Sequence, residues 1–184
     1  EVLAAQVGAT VEQALEQVMA AEDGPFAMVG LPCQVRGVRK ALDCLPRLRG
    51  KIGLYIALFC AGTKDYRFRS MIARRMGLDA SHLRSFSFRG GGWPGTACGT
   101  DDQGREAALA ANDRRVGRVW SRGRLTPVRC LLCDDPLGAA ADLAVGDPWH
   151  LPGVEGSDGA SLVLVRTPVG VGAIREAVGR GAVV

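Results

Sequence analysis

The sequence predicts an α/β fold: a parallel strand–helix–strand core, with additional strands and a glycine-rich loop in the second half. Three observations carry this. Two short, continuously apolar runs, residues 26–31 and 52–59, have the character of strands covered on both faces. A segment of helical period lies between them, and strand–helix–strand order implies a right-handed parallel crossover. Beyond residue 80 the period shortens to alternation, punctuated by glycine and proline. With 184 residues, 47% of them hydrophobic, the chain has material for a core and reads as one α/β domain over residues 1–184.

Each element has a local cause. Residues 10–20 read as an amphipathic helix: Thr10 and Gln13 form a capping-box pattern, and Val11, Ala14, Leu15, Val18 and Met19 recur at helical spacing. The run Phe26 to Leu31 is a buried strand. A helix from about Gln34 to Leu45 places Val35, Val38, Ala41 and Leu42 on one side, and Pro46 bounds it. Residues 52–59 form the second buried strand, and a third helix covers about Tyr66 to Met76, ending at Gly77. Leu83 to Phe88 alternates as a strand, and Thr96 to Thr100 continues a hairpin. Asp101 to Gly104 is a turn, and the polar stretch Asn112 to Arg115 reads as solvated. Leu143 to Val145 and Ser161 to Arg166 read as further strands, with a closing helix from about Val169.

Composition narrows the function classes. Among 23 basic residues only Lys40, Lys51 and Lys64 are lysines, and the net charge of +4 is scattered along the chain. Nucleic-acid recognition wants a basic stripe, so this pattern argues against it. No apolar run reaches the length of a membrane span, and no secretory leader is visible. A cytoplasmic protein is expected. The chain starts at Glu1, not Met, and reads as a piece of a longer protein that lacks an N-terminal part.

The six cysteines carry the chemistry. Cys33 follows the first apolar run and Cys60 follows the second, each beside a loop former (Pro32, Gly62). The carboxyl ends of parallel strands form the edge where ligands of open α/β sheets bind. Neighbouring strands would bring the two ends within about 5 Å, and one intervening strand within about 10 Å. Cys130 and Cys133 form a Cys-x-x-Cys pair. Four soft thiolates suit a [4Fe–4S] cubane or a closed zinc site. Asp134 and Asp135 follow the pair, and neighbouring carboxylates oppose the acidic thiol of a thioredoxin-like dithiol. The plainer alternatives are that Cys130 and Cys133 are two buried, inert cysteines and that Cys33 and Cys60 are each small core residues. Cys44 and Cys98 have no partner motif and read as structural.

Gly90, Gly91 and Gly92 precede Trp93, so backbone amides there can approach a phosphate or an isoalloxazine ring, with Trp93 as a stacking face. The segment equally suits a wide hairpin turn, and it lacks the spacing of a Rossmann fingerprint or a P-loop. Gly146 and Asp147 end the apolar run Leu143 to Val145. Asp147 suits a ribose contact, or simply an acidic turn before Pro148. His82 and His150 are too isolated for a histidine metal site, and no acid, base or nucleophile stands out as catalytic.

Taken in order, these motifs resemble a known family. Gly-Leu-Pro-Cys-Gln at 30–34, Phe-Cys-Ala-Gly at 59–62, the segment 88–93, Cys-x-x-Cys at 130–133 and Ala-Asp-Leu-Ala-Val-Gly-Asp-Pro-Trp at 141–149 look like the C-terminal region of coenzyme F420 hydrogenase/dehydrogenase beta subunits. The resemblance spans about residues 26–178. It implies an iron–sulfur flavoprotein oxidoreductase passing electrons between a [4Fe–4S] cluster, FAD and a small carrier such as coenzyme F420 or another reducible substrate. The cluster role maps onto Cys33, Cys60, Cys130 and Cys133; the glycine loop and the turn after residues 143–145 place the flavin at Gly90, Gly91, Gly92, Trp93, Gly146 and Asp147. Partners implied are other subunits of a hydrogenase, formate dehydrogenase or related redox complex, or a ferredoxin-like donor. His150 stands where the family pattern is expected to have glycine. The rival readings are a zinc-stabilised interaction domain and an electron relay that holds the cluster without flavin.

Overall fold

The structure is a computed structural model that describes residues 10–22, 24–90, 95–110, 113–149 and 160–183. In chain order its elements are α1 (Val11–Ala20), β1 (Phe26–Gly30), α2 (Pro32–Cys44), a 3₁₀ turn (Pro46–Leu48), β2 (Ile52–Leu58), α3 (Tyr66–Arg75) and β3 (Leu83–Ser87). Then follow β4 (Thr96–Asp101), β5 (Glu106–Ala110), α4 (Arg114–Ser121), α5 (Val128–Leu131), β6 (Leu143–Gly146), β7 (Leu162–Val165) and α6 (Pro168–Gly179). They group into two compact units. One takes residues 1–61, 134–147 and 161–184; the other takes 62–133 and 148–160.

The first unit is the α/β core. Its sheet runs β1-β2-β6-β7, with β1, β2 and β6 parallel and β7 antiparallel at the edge. The crossover through α2 therefore joins adjacent strands, the closer of the two spacings the sequence allows. Ala57 and Ala144 face each other across β2 and β6 and are fully buried. Such small side chains let Val35 and Val38 of α2 pack onto the sheet beside Tyr55. Helix α1 begins as expected, with the Thr10 amide donating to Gln13 Oε1 (2.9 Å) and the Gln13 amide to Thr10 Oγ1 (3.3 Å).

Asp142 pins this layer together. Its buried carboxylate accepts from the Tyr55 amide (2.8 Å), the Arg39 guanidinium (3.1 Å) and the Thr167 hydroxyl (2.7 Å). A buried carboxylate is tolerated when several donors replace its water. Gly170 packs so tightly on Asp142 that an added Cβ would stand 2.5 Å from its carbonyl oxygen.

The second unit holds the antiparallel sheet β3-β4-β5. Phe68 and Ile72 of α3 pack on Ala97 and Leu109, joined by Val116, Val119 and Leu125. Three elements here were not expected from the sequence: α4, β5 and the short α5. Helix α4 begins at Arg114, where no helix was expected, because Val116 and Val119 give it an apolar side; Arg114 itself is exposed, as expected of a solvated stretch. Strand β5 extends the hairpin as a third strand, and Ala107 to Leu109 pair with Ala97 to Gly99. Cys44, at the end of α2, and Cys98, on β4, are both exposed. Among the described residues no helix is long and apolar enough to cross a membrane.

Candidate functional site

In the first unit, β1 and β2 end side by side, with Gly30 opposite Ala57. The chain turns from Gly30 straight into α2, with extended Leu31 as N-cap and buried Pro32 in the first turn. Pro32 suits that position because its missing N–H has no helical partner to lose. Gln34 closes the turn: its Oε1 accepts the Leu31 amide at 2.7 Å. Gly30 supplies the space, since a Cβ there would lie 3.1 Å from that same oxygen. The Gly-Leu-Pro-Cys-Gln motif is thus a rigid strand-to-helix corner that leaves Cys33 exposed in the first turn of α2.

Cys60 is set by a second device. Its amide donates to the Pro136 carbonyl at 2.9 Å, and the Phe59 amide to the Val145 carbonyl at 2.8 Å. Phe59 fills the space over Gly146, where a Cβ would come within 2.2 Å of the ring. The missing side chain of Gly146 therefore accommodates Phe59, the residue before Cys60.

Arg36, one turn after Cys33, reaches Asp134 and Asp135, each at 3.3 Å. Both carboxylates hold its guanidinium above its usual pKa, the hydrogen bond to Asp134 contributing most. Asp135 is buried and also accepts the Ala139 amide at 2.9 Å. Hence the helix carrying Cys33, the loop carrying Cys60 and the segment 134–136 directly following Cys133 are tied to one another within one unit.

In the second unit, Cys130 lies in the short helix α5 and Cys133 just beyond it, its amide donating to the Cys130 carbonyl at 3.4 Å. Cys130 Sγ is 3.5 Å from Thr63 Oγ1. A Cβ on Gly62 would stand 3.5 Å from that of Cys130. Hydrogen bonds from the Thr63 side chain and backbone, aided by the Arg129 charge, hold the Cys130 thiol below its ordinary pKa, with burial opposing. The neighbouring carboxylates, expected to resist such a shift, do not prevail. The loop after Cys60 is secured further along: Lys64 Nζ donates to Thr126 Oγ1 (2.6 Å), and the Asp65 amide to the Leu125 carbonyl (2.8 Å).

All six cysteines are free thiols. Among the described residues no three His, Cys, Asp or Glu side chains are gathered as a metal site. Gly91, Gly92, Trp93 and His150 lie outside the described residues. Gly90 does not: a Cβ there would make ordinary contact with Cys98 Sγ at 3.6 Å. Asp147 is half-buried at the end of β6.

Residues 24–184 match the family described as coenzyme F420 hydrogenase/dehydrogenase, C terminus of the beta subunit. The chain belongs to this family. A solved chain of the F420-reducing [NiFe] hydrogenase complex from Methanosarcina barkeri is similar, with a TM-score of 0.55 at 21% identity. That likeness shows the fold, covering 85% of this chain and 49% of the hydrogenase chain, so the present chain spans about half its neighbour's length. No curated protein matches. The beta-subunit family thus takes in both units, from β1 through α6.

Sequence reasoning missed the supports of the cysteine-bearing segments in this family member: Arg36, Phe59, Thr63 and Asp135. Arg36 had a readable signal, since it lies three residues after Cys33 on the same helix, where side chains share a face. Thr63 had none, because its partner is 67 residues away.

Proposed function

We propose that the protein is an electron-transfer module of an oxidoreductase in which Cys33, Cys60, Cys130 and Cys133 hold one [4Fe–4S] cluster and FAD is a second carrier. A small redox substrate such as coenzyme F420, and partner subunits of a hydrogenase or dehydrogenase complex, complete the reading. The observation that carries it is the bracing of the Cys33 helix, the Cys60 loop and segment 134–136 by Arg36 and the Cys60 amide.

The donor chemistry fits. Four reduced thiols are available, one of them with a lowered pKa, and thiolate is the ligand form. Peptide continuity adds support: Cys133 directly precedes Asp134, and Cys60 lies three residues before Thr63, the partner of Cys130. When bound, the cluster supplies one-electron chemistry and the flavin links it to two-electron transfer. The residues here orient thiols: Pro32 and Gln34 fix Cys33, Pro136 and Phe59 fix Cys60, and Thr63 fixes Cys130. Hydrogen bonds near the sulfurs are one means by which a protein sets a cluster potential. Gly90, Gly91, Gly92, Trp93 and Asp147 are the residues proposed to meet FAD, with Gly146 acting through Phe59. Because Gly146 is filled by a side chain of its own unit, a flavin-free relay is the second reading.

Anaerobic purification with iron, sulfide and flavin analysis tests this. A cubane gives about four irons per chain. Serine at Cys33, Cys60, Cys130 or Cys133 should lose the cluster or leave it labile, whereas Cys44→Ser and Cys98→Ser should keep it, with circular dichroism confirming that each variant folds. Zinc in place of iron would sink the cluster assignment. Iron without flavin would select the relay.

A further inference from the structure

Arg118, Arg122, Arg124 and Arg75 line one cavity of about 260 Å³ in the second unit, with Val119 as its apolar wall. Arg75 is the last residue of α3 and Arg118 lies in the last turn of α4, where cations complement the helix dipole. That ordinary reason stops at the helix end. It does not extend to Arg122 and Arg124, which add two more charges to the same concavity. Arg118 and Arg122 are also four residues apart, a like-charge spacing that opposes the turn holding them.

The scaffold under these charges is fixed. Val119 and Leu125 pack into the core around Phe68 and Ile72. The Arg124 carbonyl accepts from Lys64 Nζ at 3.3 Å, and the Leu125 carbonyl from the Asp65 amide at 2.8 Å. Gly123 and Leu125 both take positive φ (64° and 58°), so the chain reverses on either side of Arg124. Pinning the backbone lowers the ordering cost of a ligand. Guanidinium forks match phosphate and carboxylate oxygens in pairs. The volume lies just below the roughly 300–1,000 Å³ of whole small-molecule sites, which suits the charged portion of a ligand.

We propose that the Arg75–Arg118–Arg122–Arg124 cavity binds a multiply charged oxyanion, two or more adjacent phosphate or carboxylate groups of a cofactor or substrate. The site stands on unit-two geometry alone and does not depend on the cluster assignment. Calorimetric titration of the protein at fixed ionic strength tests it, with diphosphate, citrate and orthophosphate as probes. Diphosphate or citrate should bind saturably, one per chain, and at least about tenfold tighter than orthophosphate. The tighter of the two tells phosphate from carboxylate. Arg118→Gln and Arg122→Gln should each weaken binding by about tenfold or more, the scale of a lost charge-assisted hydrogen bond. Arg118→Lys and Arg122→Lys keep the charge but lose the fork, so they should fall between, and they serve as the readout if a glutamine variant unfolds. Arg180→Gln, on α6 of the other unit, should change nothing. Binding that does not saturate, or that is equal in wild type and the Arg118 and Arg122 variants, would overturn the site.

Discussion

Gly138→Ala tests the turn that leads from the Asp134–Pro136 segment into β6. Gly138 has φ +70°, and a Cβ there would stand 2.4 Å from the Cβ of fully buried Ala57. Two costs combine. An alanine in the left-handed region costs about 1–2 kcal/mol. Forcing a methyl against a packed strand costs about 1–3 kcal/mol more, because no flexible side chain can swing away. The sum, about 2–5 kcal/mol, corresponds to a fall in Tm of about 5–15 °C for a chain of this size. Two companions separate the terms. Gly50 has φ +77° with nothing near its Cβ position, so Gly50→Ala should show the conformational cost alone. Gly37, in α2, is also open but has ordinary helical geometry, so Gly37→Ala should stabilise by about 0.5–1 kcal/mol. Thermal and urea unfolding rank the three. If Gly138→Ala melts with Gly50→Ala, the turn does not lie against Ala57 and the steric argument fails.

Three other outcomes follow from the same geometry. Gly146→Ala should cost about 1–3 kcal/mol by displacing Phe59, and adding Phe59→Ala should recover part of that loss; strictly additive effects would refute the contact. Alkylation mapped to Cys130 should proceed at lower pH than for an ordinary thiol, and Thr63→Val should move the profile up, because the Thr63 hydrogen bond is the largest cause of the shift. The His82 imidazole, bonded to Asp79 at 2.9 Å, is held above its ordinary pKa and Asp79 below its own. The histidine's contribution is therefore complete below about pH 6.5 and fades as pH rises through its raised value, while that of Asp79 fades only as pH falls through its lowered one. NMR titration should show Asp79→Asn lowering the His82 pKa, with Asp102 still raising it in part, and an unmoved titration would rule out the pair.

Much of the core was legible because its signals are local. Continuous apolar runs gave β1 and β2, the capping box gave α1, and the strand-end positions of Cys33 and Cys60 followed from those. The crossover rule gave β1 and β2 their parallel direction, but their adjacency was one of two spacings it left open. The second unit was harder to read. Glu106 to Ala110 is built of residues without strand preference and becomes β5 by pairing with β4. The apolar residues of α4 are too few to outweigh its arginines in a sequence window, yet Val116 and Val119 suffice once α3 offers a surface. Cys98 is exposed by strand alternation, since its neighbours Ala97 and Gly99 are buried residues of β4, a facing that the sequence alone does not assign. Gly146 was grouped with the flavin residues because the sequence does not show that Phe59 fills the gap its missing side chain leaves.

The Asp142 carboxylate has a consequence for the order of events on the ribosome. Its hydrogen bond to the Tyr55 amide spans 87 residues and its ion pair with Arg39 spans 103, so neither forms until residue 142 has been made. Until then β2 lacks its second neighbour, and the nascent α/β half presents an unpaired parallel edge, the kind of surface on which chains stick to one another. The intervening residues 62–133 belong to the other unit, with its own sheet and core. Early collapse of that insert would replace a long flexible loop by a compact body and ease the entropic cost of closing β6 onto β2. Mutations that loosen the Phe68–Ile72 cluster should therefore slow maturation and lower the soluble yield of a unit they do not belong to.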